Sequence, residues 1–170
     1  MKDKKLIPTV GFGKVRLGMT IEEVKKILGK PDYEETMELG DGPDDKSTEL
    51  TYDELGLSLS FDEAWGFRLI DIMTSEDSEF SLGDSIHLGD SLKSVRKAVS
   101  DADYGPMEEC ELEDDIEDGD LTPEELEEAE GLTEYELPEV GVNLYFRDGV
   151  LETIQIGPEY DDDSNIIWPK

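Results

Sequence analysis

The sequence is poor in several residue types, and each shortage excludes something. There is one cysteine, Cys110, so no internal disulfide can form. There is one histidine, His87, which together with a lone cysteine leaves too few ligands for a Cys/His zinc centre. Basic residues are scarce, 15 Lys and Arg against 46 Asp and Glu, and none falls between Lys97 and Arg147. A chain of that balance has no positive footprint for nucleic-acid phosphates, and anionic membrane surfaces repel it. No apolar run is long enough to cross a bilayer as a helix. The basic start, Met1–Lys5, has no apolar stretch of useful length behind it, so a reducing cytoplasmic location is expected. No glycine-rich phosphate loop occurs either; Gly11-Phe12-Gly13 is too short a match. Cys110 has no histidine partner in its neighbourhood, and flanking carboxylates raise a thiol pKa. Nothing here marks a catalytic constellation, and the chain is not expected to be an enzyme.

What is present is a repeat. Val15-Arg16-Leu17-Gly18-Met19-Thr20 and the run to Gly29 match Ile86-His87-Leu88-Gly89-Asp90-Ser91 and the run to Ser100, position for position. Thr20 and Ser91 stand just before apolar-periodic stretches, where a hydroxyl caps a helix. Glu23 completes a capping box with Thr20. Ile21, Val24, Ile27 and Leu28 share one helix face, as do Leu92, Val95, Ala98 and Val99.

Both copies close alike. Leu57-Ser58-Leu59-Ser60-Phe61 matches Val142-Asn143-Leu144-Tyr145-Phe146, and each alternates apolar with polar as a strand covered on one side does. Each is followed by a turn and a further strand. Arg147-Asp148-Gly149 is the tighter turn, and the first copy spends one extra residue at its own, around Trp65. Residues near 33–39 and 47–53 read as two more strands. The alternation leaves Ser58, Ser60, Asn143, Tyr145, Thr153 and Gln155 on an open sheet face.

The Leu17-Gly18-Met19-Thr20 run with Val24 and Gly29, the Leu144–Leu151 hairpin and the tandem arrangement resemble the β-lactamase inhibitory protein family and the small outer-membrane assembly lipoproteins. The resemblance implies two fused α+β units whose sheets form one concave surface that grips a protein partner. The expected fold is therefore α+β, two fused tandem repeats, each with a helical segment packed on one face of an antiparallel sheet of about four strands. Residues 1–78 form the first repeat with an N-terminal arm. Residues 79–160 form the second, with an acidic insert near 107–131, and 161–170 are an acidic tail. The apolar end of that tail, Ile166-Ile167-Trp168, is expected to fold back on the body.

The net charge of −31 is the other prominent number. It steers basic surfaces toward the chain, although solubility alone also explains it. The expected role is a non-enzymatic binding module of the inhibitor or immunity type, holding a basic protein partner such as a toxin domain. Tyr145, Trp65, Tyr52 and Tyr135 are the candidate anchors, with Asn143 beside them and Glu108, Glu109 and Glu111 supplying charge. Trp65, at a hairpin tip, also reads as a packed lid, the commoner role of a tip Trp, and at an open sheet end it could be either.

Two alternatives stand beside this one. Asp114, Asp118, Gly119 and Glu125 fall at positions 1, 5, 6 and 12 of an EF-hand-like loop, which makes Asp114, Asp118 and Glu125 candidate calcium ligands. Ile116 occupies position 3, where an oxygen ligand belongs. Thr122-Pro123-Glu124-Glu125 is also an ordinary helix start. The other alternative is a generic acidic cytoplasmic protein with no dedicated ligand or cofactor.

Overall fold

The structure, a computed structural model, describes residues 4–38, 40, 45–110 and 131–169. In chain order it contains β1 (Lys5–Leu6), β2 (Gly11–Phe12), β3 (Val15–Arg16), α1 (Ile21–Leu28), β4 (Tyr33–Glu38), β5 (Lys46–Tyr52) and β6 (Leu57–Asp62). A 3-10 turn, Glu63–Trp65, leads to β7 (Arg68–Thr74). Then follow β8 (Ser81–Leu82), β9 (Ile86–His87), α2 (Leu92–Asp101), β10 (Glu108–Cys110), β11 (Leu132–Leu137), β12 (Val142–Arg147) and β13 (Val150–Ile156). A small hairpin, β14 (Glu159–Tyr160) with β15 (Ile166–Ile167), ends the chain.

The helices begin where their caps require. The Thr20 hydroxyl accepts from the Glu23 amide at 3.3 Å, and the Glu23 carboxylate accepts from the Thr20 amide at 2.8 Å. Ser91 accepts from the Ser94 amide at 3.2 Å, a simpler cap. Each helix entry is tied to the last strand of its half in the same way. The Gly18 amide donates to the Leu69 carbonyl at 2.8 Å, and the Gly89 amide donates to the Leu151 carbonyl at 2.8 Å.

The expected fold class is overturned. The chain is mostly β: 46% of the described residues are strand and 15% helical. The strands do not form two separate helix-covered sheets. They make one eight-stranded antiparallel sheet in the order β10-β11-β12-β13-β7-β6-β5-β4. The reason lies at the seam. Strands β13 and β7 pair through Gln155 with Met73 and Ile156 with Ile72. Joining there gives each meander a partner for an edge that would otherwise be bare, and edges are a liability. Helices of eight and ten residues are also too short to cover a sheet each on their own.

The seam ladder is short, and a side chain extends it. The Thr74 hydroxyl accepts from the Ile154 amide at 2.9 Å in a buried setting. The halves also interlock below the sheet. Strand β1 pairs in parallel with β8, so the N-terminal arm is held by residues beyond position 78. Phe12 meets Phe80 edge to face, with ring centroids 5.1 Å apart. One continuous core runs from Leu6 to Ile156 and takes in Val24 from α1 and Val95, Ala98 and Val99 from α2.

Register explains which side chains face out. In β6 and β12 the burial alternates strictly, with Leu57, Leu59 and Phe61 inward, and Val142, Leu144 and Phe146 likewise. Opposite Ser60 and Phe61 stand Asp71 and Leu69, so Ile70 is the extra residue of a bulge. Glu152 is its counterpart opposite Tyr145 and Phe146. The connection before β7 runs over Glu63–Phe67, whereas Asp148–Gly149 suffices before β13. The first hairpin thus has five connecting residues against two, not the single extra residue that spacing predicted. Aligned through these contacts, Leu69 corresponds to Leu151, two positions from the sequence-based match. The slip is even, so the face assigned to each side chain is unaffected.

Candidate binding face

One face of the sheet is packed and, among the described residues, the other is open. Across the open face a single row crosses all eight strands: Glu108, Glu136, Asn143, Gln155, Met73, Ser58, Thr51 and Tyr33. A neighbouring row in the second half holds Cys110, Glu134, Tyr145 and Thr153. Its counterpart in the first half holds Asp71, Ser60, Glu49 and Glu35. Carboxylates recur along these rows, and amides and hydroxyls fill the middle, with Met73 among them at the seam.

The centre of this face is a fixed network. The Tyr145 hydroxyl donates to Gln155 Oε1 at 2.7 Å, and Gln155 Nε2 donates to Asp71 Oδ1 at 2.7 Å. Both hydrogen-bonding ends of the Gln155 amide are used, so its orientation is set. Asn143 Nδ2 donates to Glu134 Oε1 at 2.8 Å beside it. Burial pushes the Asp71 carboxyl up to about 6 despite the Gln155 hydrogen bond, and the negative charges of Asp62 and Glu49 add to the rise. Burial also pushes the Tyr145 phenol up to about 12, reinforced by the Glu134 carboxylate. At neutral pH the phenol is a hydrogen-bond donor, not a base.

Next to the network lies a groove of about 570 Å³, bounded by Asp71, Asn143 and Gln155 on the sheet and by Glu139, Pro158 and Tyr160 from its margin. Its polar groups are carboxylates, amides, a phenol and the Thr9 hydroxyl, a set that suits cations and hydrogen-bond donors. Among the described residues no group of three or more His, Cys, Asp or Glu side chains is gathered as a metal site. Among them, too, no helix is long and apolar enough to cross a membrane.

The sequence-derived candidates divide sharply. Tyr145 and Asn143 stand at the centre of the open face, and Glu108 lies in its longest row. Glu109 is exposed but stands on the other side of edge strand β10, opposite Tyr135. Trp65 is 37% exposed at the tip of the β6–β7 hairpin.

Tyr52 and Tyr135 are corrections: both belong to the packed core, each 5% exposed. The Tyr52 hydroxyl donates to the Gly29 carbonyl at 3.0 Å and closes the end of α1 against β5. Tyr135 sits edge to face with Phe146 at 5.5 Å, under the Arg96 guanidinium at 5.1 Å. Glu111, the calcium candidates Asp114, Asp118 and Glu125, the helix expected from Thr122, and turn residues 41–44 lie outside the described residues.

His87 is exposed, and burial followed by Glu134, Glu136 and Glu108 raises the Cys110 thiol pKa. Asp71 and Gln155 are the central residues that were not singled out as a site. The available signal was a lone acid inside the apolar run Leu69-Ile70-Asp71-Ile72-Met73.

A family model described as a domain of unknown function, DUF7738, matches residues 9–100. The chain belongs to that family. The match takes in α1, strands β4 to β7 and nearly all of α2, and with them Tyr33, Glu49, Asp71 and Met73 of the open face. Asn143, Tyr145 and Gln155 lie beyond it. No curated protein and no solved structure matches the chain.

Proposed function

We propose that the chain is a non-enzymatic binding module of the inhibitor or immunity type, which holds a basic protein partner against the open face of its sheet. The observation that carries this reading is the open face running over eight strands, where carboxylates, amides and hydroxyls, interrupted by Met73 at the seam, surround the Tyr145–Gln155–Asp71 network. A face ordered by its own hydrogen bonds loses little freedom on binding. A net charge of −31 draws basic partners at enhanced rates and argues against nucleic acid or anionic membrane in that role. Tyr145 supplies contact area at the centre, and Trp65, 37% exposed at the tip of the β6–β7 hairpin, adds to it. A toxin domain is the kind of partner this chemistry fits. A lone cysteine fits a reducing cytoplasm, and that is the compartment we propose.

The test is capture from the native host's lysate by the tagged chain at moderate salt. One stoichiometric basic protein is expected, with retention reduced about tenfold or more when Tyr145→Ala and Trp65→Ala are combined. A diffuse set of basic proteins that washes away, or retention indifferent to the two substitutions, would overturn the reading.

A further inference from the structure

The repeat places two equivalent grooves at opposite ends of the sheet, and only one has an occupant among the described residues. In the first half, Gly18 has φ +92, and a Cβ on it would come within 2.7 Å of Trp168. The Trp168 ring packs there with the Arg68 guanidinium 5.9 Å from its centroid. Thr20 bridges to Arg68 alongside. The second half rebuilds the same frame. Gly89 also has φ +92, and Ser91 bridges to Val150. Yet nothing among the described residues lies within 4 Å of a Cβ built on Gly89. The space is a groove of about 600 Å³ floored by Leu88, Gly89, Val150 and Leu151. Val150 is 46% exposed, a large apolar side chain left uncovered by the described residues.

We propose that this groove docks an aromatic side chain carried on an extended, basic segment of a partner protein. The shape of the occupant is set by Trp168, which fills the matching frame in the same chain. Its charge is set by the rim, where Glu76, Asp77, Asp148 and Glu152 outnumber one cation, Arg147, which is paired with Glu152 at 3.1 Å. The tail of a second copy has the right shape, but its Trp168 is already seated and two chains of net charge −31 repel each other. The groove lies at the turn end of the β12–β13 hairpin, away from the Asn143 and Gln155 end that borders the open-face groove. The proposal therefore stands or falls independently of the open-face reading.

A synthetic peptide with one Trp followed by Pro, flanked by lysines, tests it when titrated into the isotope-labelled full chain. Saturable amide shifts are expected at Leu88, Gly89, Val150 and Leu151. Val150→Ser, an exposed change that the fold tolerates, weakens binding about fivefold by removing apolar contact. Replacing the peptide lysines with glutamates weakens it about tenfold. The proposal is overturned by an absence of saturable shifts at those four residues, by equal affinity for the Val150→Ser chain, or by equal binding of the acidic peptide. Self-association that protects Val150 without any peptide would name a second copy as the occupant and equally overturn it.

Discussion

Asp71 carries the clearest single-residue consequence. Its folded pKa, about 6, lies above the ordinary carboxylate value of 3.8, so the folded chain binds that proton more tightly than the unfolded chain. The associated stability is fully present below 3.8 and is lost as pH rises through about 6. Asp71→Asn keeps an acceptor for Gln155 and removes the charge. The variant is expected to unfold at a higher urea concentration than wild type at pH 7.5, with the gap closing by pH 4. A gap that does not change with pH would place the cause elsewhere. Residue-scale reading of the sequence put Tyr145 and Asn143 on the open face, where the structure has them, because each sits one step from inward Leu144. It failed for Tyr52 and Tyr135, although period two was informative there as well. Tyr52 is two residues from buried Leu50, and Tyr135 two from buried Leu137. Aromatic character was weighted above parity, and parity decided the outcome.

At the scale of elements, the helix starts and hairpins were legible because their chemistry is local. A hydroxyl at the cap, alternation along a strand and an Asp-Gly turn need no knowledge of distant residues. The capping box makes a quantitative expectation. Thr20→Ala costs about 1 kcal/mol, and combining it with Glu23→Ala costs less than the sum of the two, since the reciprocal bonds share one geometry. Urea denaturation of the four-member cycle measures this, and strict additivity would show that the two bonds act separately. The bulges at Ile70 and Glu152 were not legible. A bulge inserts a residue without altering composition, and only the partner strand reveals it.

The whole molecule was the least legible level. Alternation shows that each half ends in a strand, but not which edge that strand meets. Joining β7 to β13 is settled by two residue pairs and two side-chain bonds, Ile154 to Thr74 and Gln155 to Asp71, between segments about eighty positions apart. Thr74→Val keeps the shape but leaves the buried Ile154 amide without its acceptor. It is expected to cost about 1–3 kcal/mol and to preserve a single cooperative transition, because the core spans both halves. Two separate transitions in calorimetry would contradict a shared core. The single sheet matters for function because it turns two modest surfaces into one continuous face. Along that face the acids Glu35, Glu49, Glu134 and Glu136 fall on both sides of the seam.

The most direct measurement separates that face from the charge of the chain as a whole. The affinity of the captured basic partner is compared for two variants with equal change in net charge. One carries Glu35→Gln, Glu49→Gln, Glu134→Gln and Glu136→Gln on the open face. The other carries Glu22→Gln, Glu54→Gln, Glu79→Gln and Asp101→Asn at exposed positions away from the open face and its groove. Binding through the open face predicts that the first loses affinity by about tenfold or more while the second stays near wild type. Equal losses would mean that the partner responds to overall charge alone, and the open face would no longer be its binding site.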